Sequence, residues 1–271
     1  ELENLKNYMK KKVYELIRLE AVEMEEYIRI SKRLLQFFDQ ETGTFKNSQE
    51  AEKLLLQRKR IIHKAINKLS AYSLIIGKLA KENKLQYCFT FAPEGDYSGD
   101  NSFEDFNNII DRFIIEANNT CPNIRVNSYT SKDSPMERKD KLRGFEEGKI
   151  DVLFTMKAID EGVDIPRAEV GIFASSTGNP RQFIQRRGRL LRKHSDKQFA
   201  TIFDMIVIPD SSNGGDKKYF NMEKNLVKSE LTRVAYFASL SENFYDSKAS
   251  LEEVMIKYNL NLDTIIKELQ V

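Results

Sequence analysis

Cysteine and histidine are scarce in this 271-residue chain, at two residues each. Cys88 and Cys121 stand 33 positions apart, with only His63 and His194 to join them. That scarcity excludes a zinc knuckle or a disulfide framework as the organising device, and no metal-ligating residues are assigned. A reducing cytoplasm is the expected compartment. No apolar run approaches the roughly 20 residues of a membrane span, so no membrane partner is expected. The opening Glu1-Leu2-Glu3-Asn4 has neither a basic start nor an apolar stretch and lacks an initiator Met, so the chain reads as a fragment. Two further segments are missing. No G-x-x-x-x-G-K-[ST] loop occurs to cradle nucleotide phosphates, and no Asp-Glu-x-His/Asp run follows a strand to hold Mg2+.

What is present describes a surface-rich globular protein, with 41% hydrophobic and 31% charged residues and enough length for one large or two ordinary domains. The net charge of +2 hides an asymmetry. Residues 1–84 hold 18 Lys and Arg against 12 Asp and Glu, while the remainder holds 25 against 29. The basic excess therefore sits at the front. It reads first as a solvated helix face, and second as a surface that tracks phosphates.

The patterning divides the chain into three parts. Residues 1–83 are expected to be mostly helical, with a short strand near 13–19 (Val-Tyr-Glu-Leu-Ile-Arg-Leu) whose sheet partner is not evident. Met24, Tyr27, Ile28, Leu34, Leu35 and Phe38 follow helical spacing. A longer pattern from about Gln49 to Lys81 places Leu55, Ile62, Leu69 and Ile76 seven apart, making a helical hairpin or, with a partner, a coiled-coil seam. Arg58 at a seam position favours packing within the chain. Residues 84–210 alternate short apolar runs with helical stretches, the signature of βα units. Strands are expected at 85–91, 125–129, 150–155, 169–174 and 199–207, with a helix over about 103–117. Ser134-Pro135-Met136-Glu137 is a capping box that starts another helix, and Asn179-Pro180 caps one more. Ser211 to Gly215 reads as a flexible exit, and residues 211–271 as a helical extension. Its Tyr236, Phe237 and Phe244 read as core rather than as stacking platforms.

Two segments carry chemistry. Gln185-Arg186-Arg187-Gly188-Arg189-Leu190-Leu191-Arg192 packs arginines at a density that is costly unless something anionic meets them. Arg189 and Arg192 lie three apart and share a helix face, where two guanidinium forks suit a triphosphate. Upstream, the run from Asp151 to Thr155 reads as a strand, and Met156-Lys157-Ala158-Ile159-Asp160-Glu161-Gly162-Val163-Asp164-Ile165-Pro166 follows its C-terminal end. Ligands of open α/β sheets bind there, so Thr155, Glu161, Gly162 and Asp164 are placed to meet one. Taken alone, Glu-Gly-x-Asp is equally a turn, and the arginine segment equally an exposed basic helix.

Together they match a known pattern. Leu153 to Pro166 resembles motif V of superfamily 2 helicases, and Gln185 to Arg192 resembles their motif VI, Q-x-x-G-R-x-x-R. Leu85 to Phe91 then stands at motif IV, and Tyr129-Thr130 with Ser134 to Gly148 precedes motif V. The Asp-Glu-Gly-Val-Asp-Ile-Pro wording and Phe203-Asp204-Met205-Ile206-Val207 look like the XPB-like or restriction-associated branch, which acts on duplex DNA. The helices of residues 21–82 look like the insertion or linker those proteins carry.

The resemblance implies an α/β fold: a RecA-like parallel sheet flanked by helices, preceded by a helical hairpin region and followed by a helical tail. It implies that Arg189 and Arg192 reach ATP bound on an N-terminal RecA-like domain of the same protein, with Arg192 the arginine finger and Gln185 an adjacent contact. Asp164, Glu161 and Gly162 join the nucleotide side, while Thr155, Lys157 and Thr130 lie near a nucleic-acid backbone, with Gly162 close to it as well. ATP and Mg2+ are expected to be held mainly by that N-terminal domain, leaving this chain inactive alone. Partners implied are double-stranded DNA and possible restriction or repair proteins. The alternatives are an RNA helicase, or a non-catalytic nucleic-acid-binding module.

Overall fold

Five short apolar runs become strands, and a sixth strand from the N-terminal region joins their edge. The computed structural model describes residues 9–93, 109–156, 167–175, 194–197, 199–209, 216–239 and 241–269. The strands are β1 (Met9–Ile17), β2 (Cys88–Phe91), β3 (Val126–Tyr129), β4 (Val152–Thr155), β5 (Val170–Phe173) and β6 (Ala200–Val207). They form one six-stranded sheet in the order β1-β6-β5-β2-β4-β3. The registers of β2 with β4, β2 with β5, β3 with β4 and β5 with β6 are all parallel. The helices are α1 (Ala21–Leu34), α2 (Gln49–Lys64), α3 (Asn67–Lys81), α4 (Ile109–Thr120), α5 (Pro135–Glu146), α6 (Lys217–Ala238), α7 (Phe244–Ala249), α8 (Glu252–Lys257) and α9 (Leu262–Leu269).

The described residues fall into two compact units that cut across the expected three-part division. One unit lies within 1–15, 68–205 and 240–244, the other within 16–67, 206–239 and 245–271. The boundary expected at residue 83 moves to 67, because α3 packs with the sheet.

In the sheet unit, β2, β4 and β5 are buried at every position, as strands covered on both faces must be. Tyr72 of α3 meets the Phe113 ring of α4 edge-on at 5.1 Å and the Phe154 ring of β4 at 5.9 Å. Across the sheet, Phe145 of α5 meets the ring of Phe89 at 6.2 Å. Residues 89 and 90 of β2 point to opposite faces, so helices cover both. Burial pushes the Cys88 thiol up to about 12, the property of an inert core cysteine. The capping box of α5 forms as expected: Glu137 N–H donates to Ser134 Oγ at 3.3 Å, and Ser134 N–H donates to Glu137 Oε2 at 2.7 Å. Gly148 ends that turn with φ +70°, where a Cβ would stand 2.7 Å from Gln86 Nε2.

The missing partner of the N-terminal strand is β6. Lys12 Nζ reaches Asp204 Oδ2 at 3.2 Å, and both side chains are fully buried. Asn243 grips the backbone of the same lysine, accepting from its N–H at 2.8 Å and donating to its carbonyl at 2.7 Å.

In the second unit, Ile30, Leu34 and Phe38 pack with Leu54 of α2 and with Tyr219 and Met222 of α6. A polar cluster lies beside them. Glu223 accepts from Tyr27 Oη at 2.7 Å and from Arg58 Nη1 at 3.4 Å, and the Arg58 guanidinium lies 5.8 Å from the rings of Tyr27 and Phe45. Burial raises the Glu223 carboxyl above its usual range despite the Arg58 charge and the Tyr27 bond. Arg58 thus serves packing within the chain rather than a coiled-coil seam.

The long helical pattern over 49–81 is two helices, as the hairpin reading expects. At Ala65 the backbone leaves the helical region with ψ 122°. The Ile66 N–H is taken by Glu23 Oε1 at 3.0 Å, and Asn67 Nδ2 donates to the Arg18 carbonyl at 3.0 Å. These tertiary bonds replace the helical ones. The tail is helical as expected, in four segments rather than a continuous run. The Asn179-Pro180 cap and the Ser211 to Gly215 exit lie outside the described residues.

Candidate functional site

Parallel register brings the C-terminal ends of β2, β3, β4 and β5 to one edge of the sheet: Phe91 pairs with Thr155 and Phe173, and Tyr129 with Thr155. Backbone bonds close that edge. Ala92 N–H donates to the Thr155 carbonyl at 2.8 Å, and the N–H groups of Ala174 and Ser175 donate to the Phe91 carbonyl at 3.0 and 3.1 Å. The Phe91 and Phe173 rings stack at 4.5 Å, with planes 9° apart, and stiffen the centre. From this platform β4 leads directly into residues 157–166 and β5 into residues 176–193. Lys157, Glu161, Gly162, Asp164, Gln185, Arg189 and Arg192 therefore lie outside the described residues.

Thr155 and Thr130 are described, and they differ. Thr155 is fully buried, and its hydroxyl donates to the Tyr129 carbonyl at 3.0 Å. The hydroxyl thus ties β4 to β3. Thr130 is half-buried at the start of the one described loop that leaves this edge.

That loop is built around an aspartate the sequence reading did not single out. Asp133 accepts from the Thr130 N–H at 2.7 Å and from Lys141 Nζ at 2.7 Å, while Thr130 Oγ1 accepts from the Lys132 N–H at 3.3 Å. Arg138 Nη2 donates to the Ser131 carbonyl at 3.0 Å, and its guanidinium lies 5.7 Å from the Tyr129 ring. Arg138 Nε is buried without a hydrogen-bond partner. The signal that could have found these residues was the helix start itself, since Asp133 precedes the cap and Arg138 and Lys141 follow on the first turns. Ser131, Lys132 and Met136 are left exposed at the tip.

Partial burial of Asp133 opposes its charge. The bonds from Lys141 and Thr130, with the nearby cations Lys141 and Arg138, outweigh burial and hold its pKa below the ordinary aspartate value. The folded pKa lies below the unfolded one, so this contribution to stability is complete above about pH 4 and is lost as the pH falls through the depressed value. An NMR titration of Asp133 is expected to show its midpoint below the ordinary aspartate value; a midpoint at or above that value contradicts the loop geometry.

Cations at the opposite edge are engaged with their neighbours. Arg125 donates to Asp151 through its backbone N–H, Nε and Nη2. Arg167 pairs with Glu169 at 2.6 Å and lies 3.8 Å over the Tyr87 ring, while buried Lys197 donates to the Ala168 carbonyl at 3.1 Å. Among the described residues, exposed donors at the sheet ends are therefore concentrated on the C-terminal side.

A parallel sheet sandwiched by helices is the architecture of a RecA-like domain. Residues 101–194 match the family described as the helicase conserved C-terminal domain. Over that stretch the chain is similar to the C-terminal RecA-like domain of superfamily 2 helicases. It is 42% identical over 73 residues to the DNA 3'-5' translocase XPB2 of Sulfurisphaera tokodaii, a match covering 27% of this chain and 16% of that protein. It is 34% identical over 76 residues to the putative DNA 3'-5' helicase Rad25 of Haloarcula marismortui, covering 27% of this chain and 12% of the relative. The matched stretch is thus under a fifth of either relative's length. The fold resembles the SWI2/SNF2 ATPase core of Sulfolobus solfataricus in complex with dsDNA, at a TM-score of 0.50 and 15% identity, covering 90% of this chain and 49% of that one. No helix of the described residues is long and apolar enough to cross a membrane.

Proposed function

We propose that this chain is the C-terminal half of an ATP-dependent DNA helicase or translocase acting in the cytoplasm, supplying an arginine finger and nucleic-acid contacts. The observation that carries the reading is the family match over residues 101–194, which spans both the Glu161-Gly162-Val163-Asp164 segment and the Gln185 to Arg192 segment. Both are joined to strands that end on the same sheet edge. Relatives named for DNA favour that substrate over RNA.

In this reading Arg189 and Arg192 meet the phosphates of ATP held by an N-terminal RecA-like domain, with Gln185, Asp164, Glu161 and Gly162 beside them. Thr130 and Lys157 face the nucleic-acid backbone, and Thr155 fixes the strand from which Lys157 departs. Arg138 and Lys132 join Thr130, since a hydroxyl, an ammonium and a guanidinium on one loop suit a phosphodiester. Mg2+ would be bound by the other half. Among the described residues no group of three or more His, Cys, Asp or Glu is placed to hold a metal ion. Closure of the two halves around ATP would bring the arginines in, and opening after hydrolysis would advance the motor along the strand.

Steady-state ATP turnover of the intact protein, compared at one salt concentration with duplex DNA, single-stranded DNA and RNA, tests the proposal. Duplex DNA is expected to stimulate most, and the chain alone to show no turnover. Stronger stimulation by RNA would move the assignment to an RNA helicase. An intact protein without turnover on any of the three would leave a non-catalytic binding module.

A further inference from the structure

The outward face of α2 carries cations that are not neutralised within the described residues. At 100° per residue, Lys53, Lys59 and Arg60 fall within one face centred on Leu56, which is 57% exposed. The opposite face buries Ala51, Leu54 and Arg58. Exposed Lys53, Lys59 and Arg60 make no ion pair among the described residues. The arginines of the preceding segment behave differently: Arg18 pairs with Glu253 at 3.1 Å, Arg29 with Glu26 at 2.6 Å and Arg33 with Glu50 at 3.1 Å. The one acid on the α2 face, Glu52, sits in the first turn, where it complements the helix dipole. From Lys53 onward the Lys and Arg residues of that face meet no Asp or Glu on it.

We propose that this face of α2 is a second contact surface for a phosphodiester backbone, made of other residues than the loops at the sheet edge. The inference rests on the helicase-domain reading for its choice of partner. Lys53 and Arg60 are separated by about 10 Å along the helix axis, close to three phosphate-to-phosphate steps of roughly 3.4 Å along one DNA strand. Permanent charges at that spacing release counterions without reading sequence, as a translocating motor requires. One exposed leucine is too small an apolar area to seat a protein partner, whereas sugar edges between phosphates present that much apolar surface.

The test compares the full 271-residue chain with the K53Q/K59Q/R60Q variant. Glutamine keeps the helix propensity of the residues replaced. Fluorescence anisotropy with a labelled 20-base-pair duplex DNA gives affinity against salt concentration. Loss of three phosphate contacts flattens the log–log salt slope by up to about 2.7, so a flattening of at least 1 is expected, with affinity at low salt falling tenfold or more. A control variant, R18Q/R29Q/R33Q, removes as many charges from paired positions and is expected to keep its slope. A flattening below 1 in the α2 variant overturns the proposal, as does an equal flattening in the control, which would mean net charge alone. Duplex binding by the unaltered chain with no α2 effect defeats this surface only. Failure of the unaltered chain to bind duplex, single-stranded or RNA probes defeats the helicase-domain reading as well.

Discussion

Replacing Arg192 with alanine in the intact protein is expected to lower DNA-stimulated ATP turnover by about 10³-fold or more while leaving duplex affinity nearly unchanged. An arginine that meets the transferring phosphoryl group neutralises charge that develops only in the transition state, and such fingers contribute roughly 10³ to 10⁵ in rate. Arg189 shares the same helix face if Gln185 to Arg192 is helical, so the two differ in reach rather than direction. Arg192→Lys separates charge from geometry. Lysine keeps the positive charge but loses the planar pair of donors, so it is expected to recover little of the lost turnover. The measurement is single-turnover hydrolysis beside anisotropy binding on the same preparations. A variant that retains its turnover removes the finger assignment, and one that loses duplex affinity in parallel places Arg192 on the nucleic acid instead.

The sheet was readable wherever its cause was local. Strands β2, β4 and β5 are short runs buried on both faces, and the cap at Ser134 is written in four consecutive residues. The N-terminal strand was readable as a strand but not as a member of this sheet. Its pairing depends on Asp204, 192 positions away, and on the Asn243 amide, and periodicity carries no such information. A break was expected of a helical hairpin, but its position at Ala65 was hidden for the same reason. No proline or glycine stands at 65–67, and the helix ends because Glu23 and the Arg18 carbonyl capture the next residues from another segment.

The candidate site was legible through spacing rather than through contacts. Glycine, acidic residues and arginines at fixed offsets announce a phosphate site because each backbone approach and each guanidinium fork demands its own residue type. Thr155 shows what spacing alone leaves out. Its position at a strand end suggested an open hydroxyl, but the register of β3 against β4 puts the Tyr129 carbonyl 3.0 Å away to accept it. Asp133 was passed over because an aspartate beside a helix cap usually serves the turn. Here it also collects Lys141 from the second turn of α5 and so sets the shape of the loop that presents Thr130 and Lys132.

Breaking the buried pair of Lys12 and Asp204 from one side is expected to destabilise the sheet unit by about 3–5 kcal/mol, a large fraction of the stability of an ordinary domain. Both side chains are wholly removed from water, so either single replacement, Asp204→Leu or Lys12→Met, takes from a buried charge its opposite charge at 3.2 Å. The ammonium lies 5.3 Å from the Tyr14 ring, two residues along the same strand face, and that contact cannot replace the lost charge. Replacing both partners removes the stranded charge, so the Lys12→Met/Asp204→Leu double variant is expected to regain most of the stability lost by either single variant. Because Asn243 holds Lys12 through its backbone, the strand stays at the sheet edge in all three variants. Urea unfolding followed by far-ultraviolet circular dichroism supplies the comparison. A double variant no more stable than the worse single variant would mean that the pair contributes specific geometry to β1 and β6, beyond the neutralisation of two buried charges.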